Sequence, residues 1–212
     1  MSDNRDERRR AIELVIAVAV VVISLASLFT AVYQAVVTRQ TLEATVWPRV
    51  EWENSNYDED RRTSAITIAI ANRGVGPARI SRAELLLNGE RVPNVRSLLL
   101  ACCVAGESAE ERESAVGALF ESNDLVMFTS TVDGAALTPG QRRTLVTFEH
   151  PAEQSPALPV WERLNEARNE LDLAVCYCSV FDDCWITKSR AFTQTTESTR
   201  GCPTETAPGF TG

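Results

Sequence analysis

The sequence predicts a mostly β chain: one N-terminal transmembrane helix, then an immunoglobulin-like β-sandwich carrying a helical insertion. Three observations predict it. Residues 14–37 run without a charge or a proline. Beyond them, short segments alternate apolar and polar residues and are punctuated by Gly, Pro, Asn and Asp, the spacing of half-buried strands joined by turns. A leucine followed by Pro139-Gly140 and an alternating run through Phe148 is a turn-and-strand pattern common in immunoglobulin-like sandwiches.

The organisation follows from these. Residues 1–10 form a cytoplasmic stub, 11–37 the transmembrane helix, 38–45 a stalk, 46–188 a periplasmic sandwich-like domain and 189–212 a polar, mobile tail. At about 1.5 Å per helical residue, the apolar stretch is long enough for a hydrocarbon core of about 30 Å. Arg5, Arg8, Arg9 and Arg10 precede it, and only Arg39 and Arg49 lie comparably close behind it. The basic flank stays inside, so the bulk of the chain is expected outside, at the periplasmic face of an inner membrane. Ser24-Leu25-Ala26 offers a rival signal-peptide cleavage site, but the apolar run continues well past it, and a signal core spans only about 7–15 residues. Ser27, Ala31 and Ala35 form a small-residue stripe of the kind that lets two membrane helices approach.

Residues 46–52 alternate around Pro48 and read as an edge strand, because proline cannot donate to a central ladder. Residues 53–62 are polar and acidic and read as a solvated loop. Their Asn56, Asp58 and Asp60 have the start of a calcium-loop spacing without its glycine or distal glutamate. Ile66, Ile68 and Ile70 mark a strand, closed by the turn signal Asn72-Arg-Gly-Val-Gly-Pro77. Residues 78–87 form the next strand, and Asn88-Gly89 predicts a type I′ hairpin to 90–92. Two helical segments, 94–106 and 109–120, make the insertion. A strand over 125–131, the strand after Pro139-Gly140 and a helix from Leu158, with Trp161, Leu164, Ala167 and Leu171 at helical spacing, follow. The closing hairpin, 173–180 and 184–188, turns at Phe181-Asp182-Asp183.

The net charge is −8, from 21 basic and 29 acidic residues. That disfavours a nucleic-acid binder, which normally carries a basic face. No hydrolase elbow, phosphate loop or zincin helix is present, and His150 stands without a catalytic companion. The chain reads as a non-enzyme that calls for no cofactor. Trp47, Trp52, Trp161 and Trp185 read as core or interface anchors, given the apolar area of an indole.

The chemistry lies in the cysteines. All six follow the apolar helix, in the compartment where disulfides persist. On a strand, Cys176 and Cys178 point to one face. A turn about Phe181 brings Cys178 opposite Cys184. Cys176 then needs a partner, for which Cys102 or Cys103 are the candidates; adjacent Cys102 and Cys103 would strain if bonded to each other. The competing readings are a soft-metal site, for which the chain has little histidine or methionine to help, and a redox pair, which departs from the usual Cys-x-x-Cys at a helix start.

The basic N-terminus and single helix, Glu43-Ala-Thr-Val-Trp47-Pro48, Ala71-Asn-Arg-Gly-Val-Gly-Pro77-Ala78 and Cys176-Tyr-Cys-Ser-Val-Phe-Asp-Asp-Cys-Trp185 together resemble a group of uncharacterised bacterial single-pass inner-membrane proteins. The resemblance implies the same architecture and carries no activity; Cys102, Cys103 and Cys202 fall outside its pattern. The expected role is a membrane-anchored periplasmic binding or assembly module. It would contact the lipid bilayer through residues 11–37 and either an envelope protein or a second copy of itself, and no nucleic acid. The alternative is an envelope thiol-redox or soft-metal-binding protein using Cys176, Cys178 and Cys184.

Overall fold

The computed structural model describes residues 3–122, 124–190, 193–203 and 209–211. The chain divides into two units, residues 1–45 and 46–212. The first is a continuous helix, α1 (Asp3–Thr45). Its apolar stretch reaches a mean hydropathy of 2.8, long and apolar enough to cross a membrane. The helix runs on through the stretch read as a stalk, where Arg39 and Glu43 pair one turn apart at 2.8 Å. Such an i,i+4 pair adds a few tenths of a kcal/mol.

Among its described residues the second unit holds ten strands, β1 (Val50–Asp58), β2 (Thr63–Asn72), β3 (Ala78–Leu87), β4 (Glu90–Val92), β5 (Met127–Thr129), β6 (Ala136–Leu137), β7 (Arg142–Glu149), β8 (Leu171–Cys178), β9 (Cys184–Arg190) and β10 (Thr193–Thr199), with helices α2 (Val95–Cys102), α3 (Ala109–Ser122) and α4 (Leu158–Ala167). The first sheet has the order β1-β2-β7-β5. The second runs β10-β9-β8-β3-β4, with β6 also on β3. Every pairing within the two sheets is antiparallel. One core joins them: Ile66, Ile68 and Phe148 from the first sheet, Leu85, Val175 and Tyr177 from the second, and Leu98, Val116 and Leu164 from the three helices. The fold is thus mixed, sheet-rich with substantial helix, rather than mostly β. The reason is that α2, α3 and α4 each put apolar side chains into that core instead of decorating a finished sandwich.

The turns obey their sequence signals. Asn88 (φ 52°) and Gly89 (φ 81°) take the left-handed conformations a type I′ turn needs, and Leu87 pairs with Glu90. Asn72 is wholly buried and organises the turn after β2. Its amide donates to the carbonyls of Gly76 (2.8 Å) and Leu137 (3.0 Å), and its Oδ1 accepts from the backbone N–H of Gly74 (3.0 Å) and Arg49 (3.2 Å). Residues 46–49 lie across this turn, Trp47 O accepting from Val75 N and Gly76 N. The backbones approach so closely that a Cβ at Gly76 would overlap the Val46 carbonyl.

Three sequence expectations fail here. Residues 46–49 are not strand, because their carbonyls serve the 72–76 turn; β1 begins at Val50. The polar run 53–58, read as a loop, is strand, paired from Trp52↔Ile70 to Asp58↔Thr63. Its amides find distant partners: Asn54 donates to Arg168 O (2.7 Å) and Asn56 to Asn165 (3.1 Å). Arg168 there has its pKa lowered by burial. Asp58 does local work, accepting from the N–H groups of Asp60 and Arg61.

The third concerns residues 189–212, read as a mobile tail. Seven of them form β10, in unbroken register with β9 from Thr193↔Arg190 to Thr199↔Cys184. Farther on, Phe210 is 1% exposed. Its N–H donates to Ala83 O (2.7 Å), while Asp133 accepts from both Ala83 N and Gly209 N at 2.9 Å. Composition alone misleads because threonine suits strands as well as tails, and a single aromatic can anchor a polar segment.

Candidate functional site

Strand β8 sorts its side chains by parity. Leu171, Leu173, Val175 and Tyr177 enter the shared core, so Cys176 and Cys178 face the other side of the sheet. On β9, Cys184 shares that outer face, and Trp185 turns inward to stack on Tyr177 with ring centroids 5.9 Å apart. The connecting turn is built by Ser179. Its backbone N–H donates to Asp183 O (2.8 Å), and its Oγ accepts from the N–H groups of Phe181 (3.1 Å) and Asp183 (3.3 Å). Asp182 takes φ 65° and pairs with Arg79 across the strand end. The register that results puts Cys178 opposite Cys184, where they form a disulfide with Cα atoms 4.0 Å apart.

Cys176 bonds to Cys202, with a Cα–Cα distance of 5.7 Å, and not to Cys102 or Cys103. Cys103 belongs to the core, on the opposite face of the sheet from Cys176, and the sheet itself separates them. Cys102 and Cys103 bond to each other at the end of α2, Cα atoms 3.7 Å apart, contrary to the expectation that adjacent cysteines would not pair. Cys202 went unassigned in the sequence because its place depends on β10 carrying the chain back. With β10 recognised, its position just past the strand paired to β9 would have pointed to β8.

The two outer-face disulfides touch. Cys178 Sγ lies 3.8 Å from Cys202 Sγ, and the sulfurs of Cys178, Cys184 and Cys202 are all within 4.8 Å of one another. As disulfides they are not metal ligands, since the thiolate is the ligating form. Cys176, Cys178 and Cys184 are nearly buried, 6–7% exposed, and Cys202 is more open.

No family model, no curated protein and no solved structure matches this chain.

Below the sulfurs, the same outer face forms an open groove of about 1020 Å³ lined by residues including Glu84, Leu86, Asp172, Ala174, Lys188 and Arg190. Both charge signs and apolar surface meet in it. A side cavity of about 140 Å³ connects sulfur and charge: Arg82, Glu84, Cys176, Lys188 and Pro203 are among its walls. Arg82 is nearly buried and holds Glu84 at 2.6 Å. The other residues singled out in the sequence lie elsewhere. His150 is exposed at the end of β7, its ring edge-on to Trp161 at 4.5 Å. Trp161 is buried and donates to Phe148 O at 3.3 Å. Trp52 is half-buried against the core, and Trp47 is 53% exposed.

Proposed function

We propose that this chain is a single-pass inner-membrane protein presenting an immunoglobulin-like domain in the periplasm, where it binds another envelope protein. The observation that carries the reading is a long helix with an uncharged apolar stretch followed by a domain whose six cysteines are all paired. Paired cysteines belong to an oxidising compartment, and the arginine-rich N-terminal flank belongs to the cytoplasmic side. The groove on the outer sheet face supplies a concave surface in which charged and apolar groups converge, the character of a recognition site.

A photo-crosslinking residue placed at Leu86, in the groove, tests this in intact cells. A discrete adduct with one envelope protein, absent when the same residue replaces Tyr57, is the expected result. An adduct containing two copies of this chain identifies self-assembly instead. No adduct across several growth states counts against a binding role.

A further inference from the structure

We propose that the outer-face sulfur cluster is a thiol–disulfide exchange site whose substrate is an external dithiol, and that it passes a disulfide from Cys178–Cys184 to Cys178–Cys202. Two observations carry this. The sulfurs of separate disulfides, Cys178 and Cys202, are in contact at 3.8 Å, so no strand need move for one to attack the other. The four cysteines also differ in access: Cys202 is partly exposed and the other three are nearly buried.

The order of events follows from access. An external thiolate attacks Cys202 Sγ, forming a mixed disulfide, and Cys176 leaves as thiolate. Arg82, its register partner on β3, and Lys188 share its side cavity with Glu84. A cation beside the departing sulfur stabilises it as thiolate. The substrate's second thiol then attacks its own sulfur in the mixed disulfide, leaving as an oxidised disulfide and releasing Cys202 as thiolate. That thiolate attacks Cys178 Sγ beside it, the Cys178–Cys202 bond forms, and Cys184 leaves and takes up a proton. One dithiol has been oxidised and the outer face has lost one of its two disulfides: the bond joining β8 to β9 is gone, and the bond joining β8 to the segment after β10 has moved from Cys176 to Cys178. Exchange of this kind needs only an attacking thiolate and a reachable sulfur.

Partial reduction of the full chain with graded dithiothreitol, followed by acid quench, alkylation and peptide mapping, tests the transfer. The expected two-electron-reduced species carries Cys178–Cys202, with Cys176 and Cys184 alkylated. Species with two outer-face cysteines alkylated whose remaining outer-face disulfide is only ever Cys176–Cys202 or Cys178–Cys184 would overturn it. A second measurement uses Cys176→Ser, which leaves Cys202 without its partner. Slow alkylation of that variant should trap molecules labelled at Cys184 and bonded Cys178–Cys202. Label confined to Cys202 would show that the contact does not exchange. Neither readout depends on the binding role proposed above.

Discussion

The side-chain amide of Gln194 treats the backbone of Trp52 as a neighbouring strand. Its Oε1 accepts from Trp52 N at 3.3 Å and its Nε2 donates to Trp52 O at 3.0 Å. Gln194 is on β10, an edge of the second sheet, and Trp52 is on β1, an edge of the first. One side chain therefore ties two sheet edges whose exposed backbone groups would otherwise invite pairing with another chain. Gln194→Ala should cost about 1 kcal/mol, the net worth of ordinary hydrogen bonds. It should also speed amide exchange along β10 and β1 while leaving β2 and β8 protected. Unchanged exchange on both edges would mean the tie is idle.

Asn72 is predicted to be the most sensitive polar position. It is wholly buried and makes four side-chain hydrogen bonds to four separate backbone groups. Asn72→Ala leaves buried donors and acceptors unmatched, each worth about 1–3 kcal/mol. A loss of several kcal/mol in urea unfolding is expected. A loss below about 1 kcal/mol, the range of an ordinary surface change, would show that the turn is held by its backbone bonds alone.

The two outer-face disulfides should differ in worth. Cys176–Cys202 spans a sequence separation of 26 and Cys178–Cys184 one of 6. Loop entropy predicts that removing both partners costs about 3.5 kcal/mol for the first and about 2.4 kcal/mol for the second. The comparison is between the double variants Cys176→Ser with Cys202→Ser, and Cys178→Ser with Cys184→Ser. Equal losses, or the reverse order, would assign the stabilisation to local packing.

Phe210→Ala should remove about 3–5 kcal/mol, the usual cost of emptying a buried phenylalanine site. Its ring is 1% exposed within the shared core. A chain stopped after Pro203 should lose at least as much, since it also gives up the bonds of Gly209 to Asp133 and Thr211 to Pro93. Unchanged thermal unfolding of either variant would place the last residues outside the cooperative unit.

What could be read from the sequence was what local chemistry decides. Asn88-Gly89 dictates its hairpin through backbone dihedrals, and counting in twos through the Phe181–Asp183 turn sets Cys178 against Cys184. What could not be read depends on partners far along the chain. Nothing within residues 53–58 announces that Asn54 and Asn56 will bond to residues 168 and 165. Threonine-rich β10 is strand because β9 offers it a full ladder, and Cys202 reaches Cys176 only because β10 exists. The helices were visible as helices, but their apolar faces did not say that they would share one core with both sheets.

Phe210 has a further consequence for how this protein comes into being. A chain made from its N-terminus presents β2, β3 and β7 long before residue 210 is synthesised, yet Phe210 completes the core those strands begin. Its N–H also closes onto Ala83 O, a contact across much of the chain. Closure of such distant contacts is slow. The domain therefore cannot finish folding before residue 210 has been made, and until then its growing sheets carry an open apolar gap.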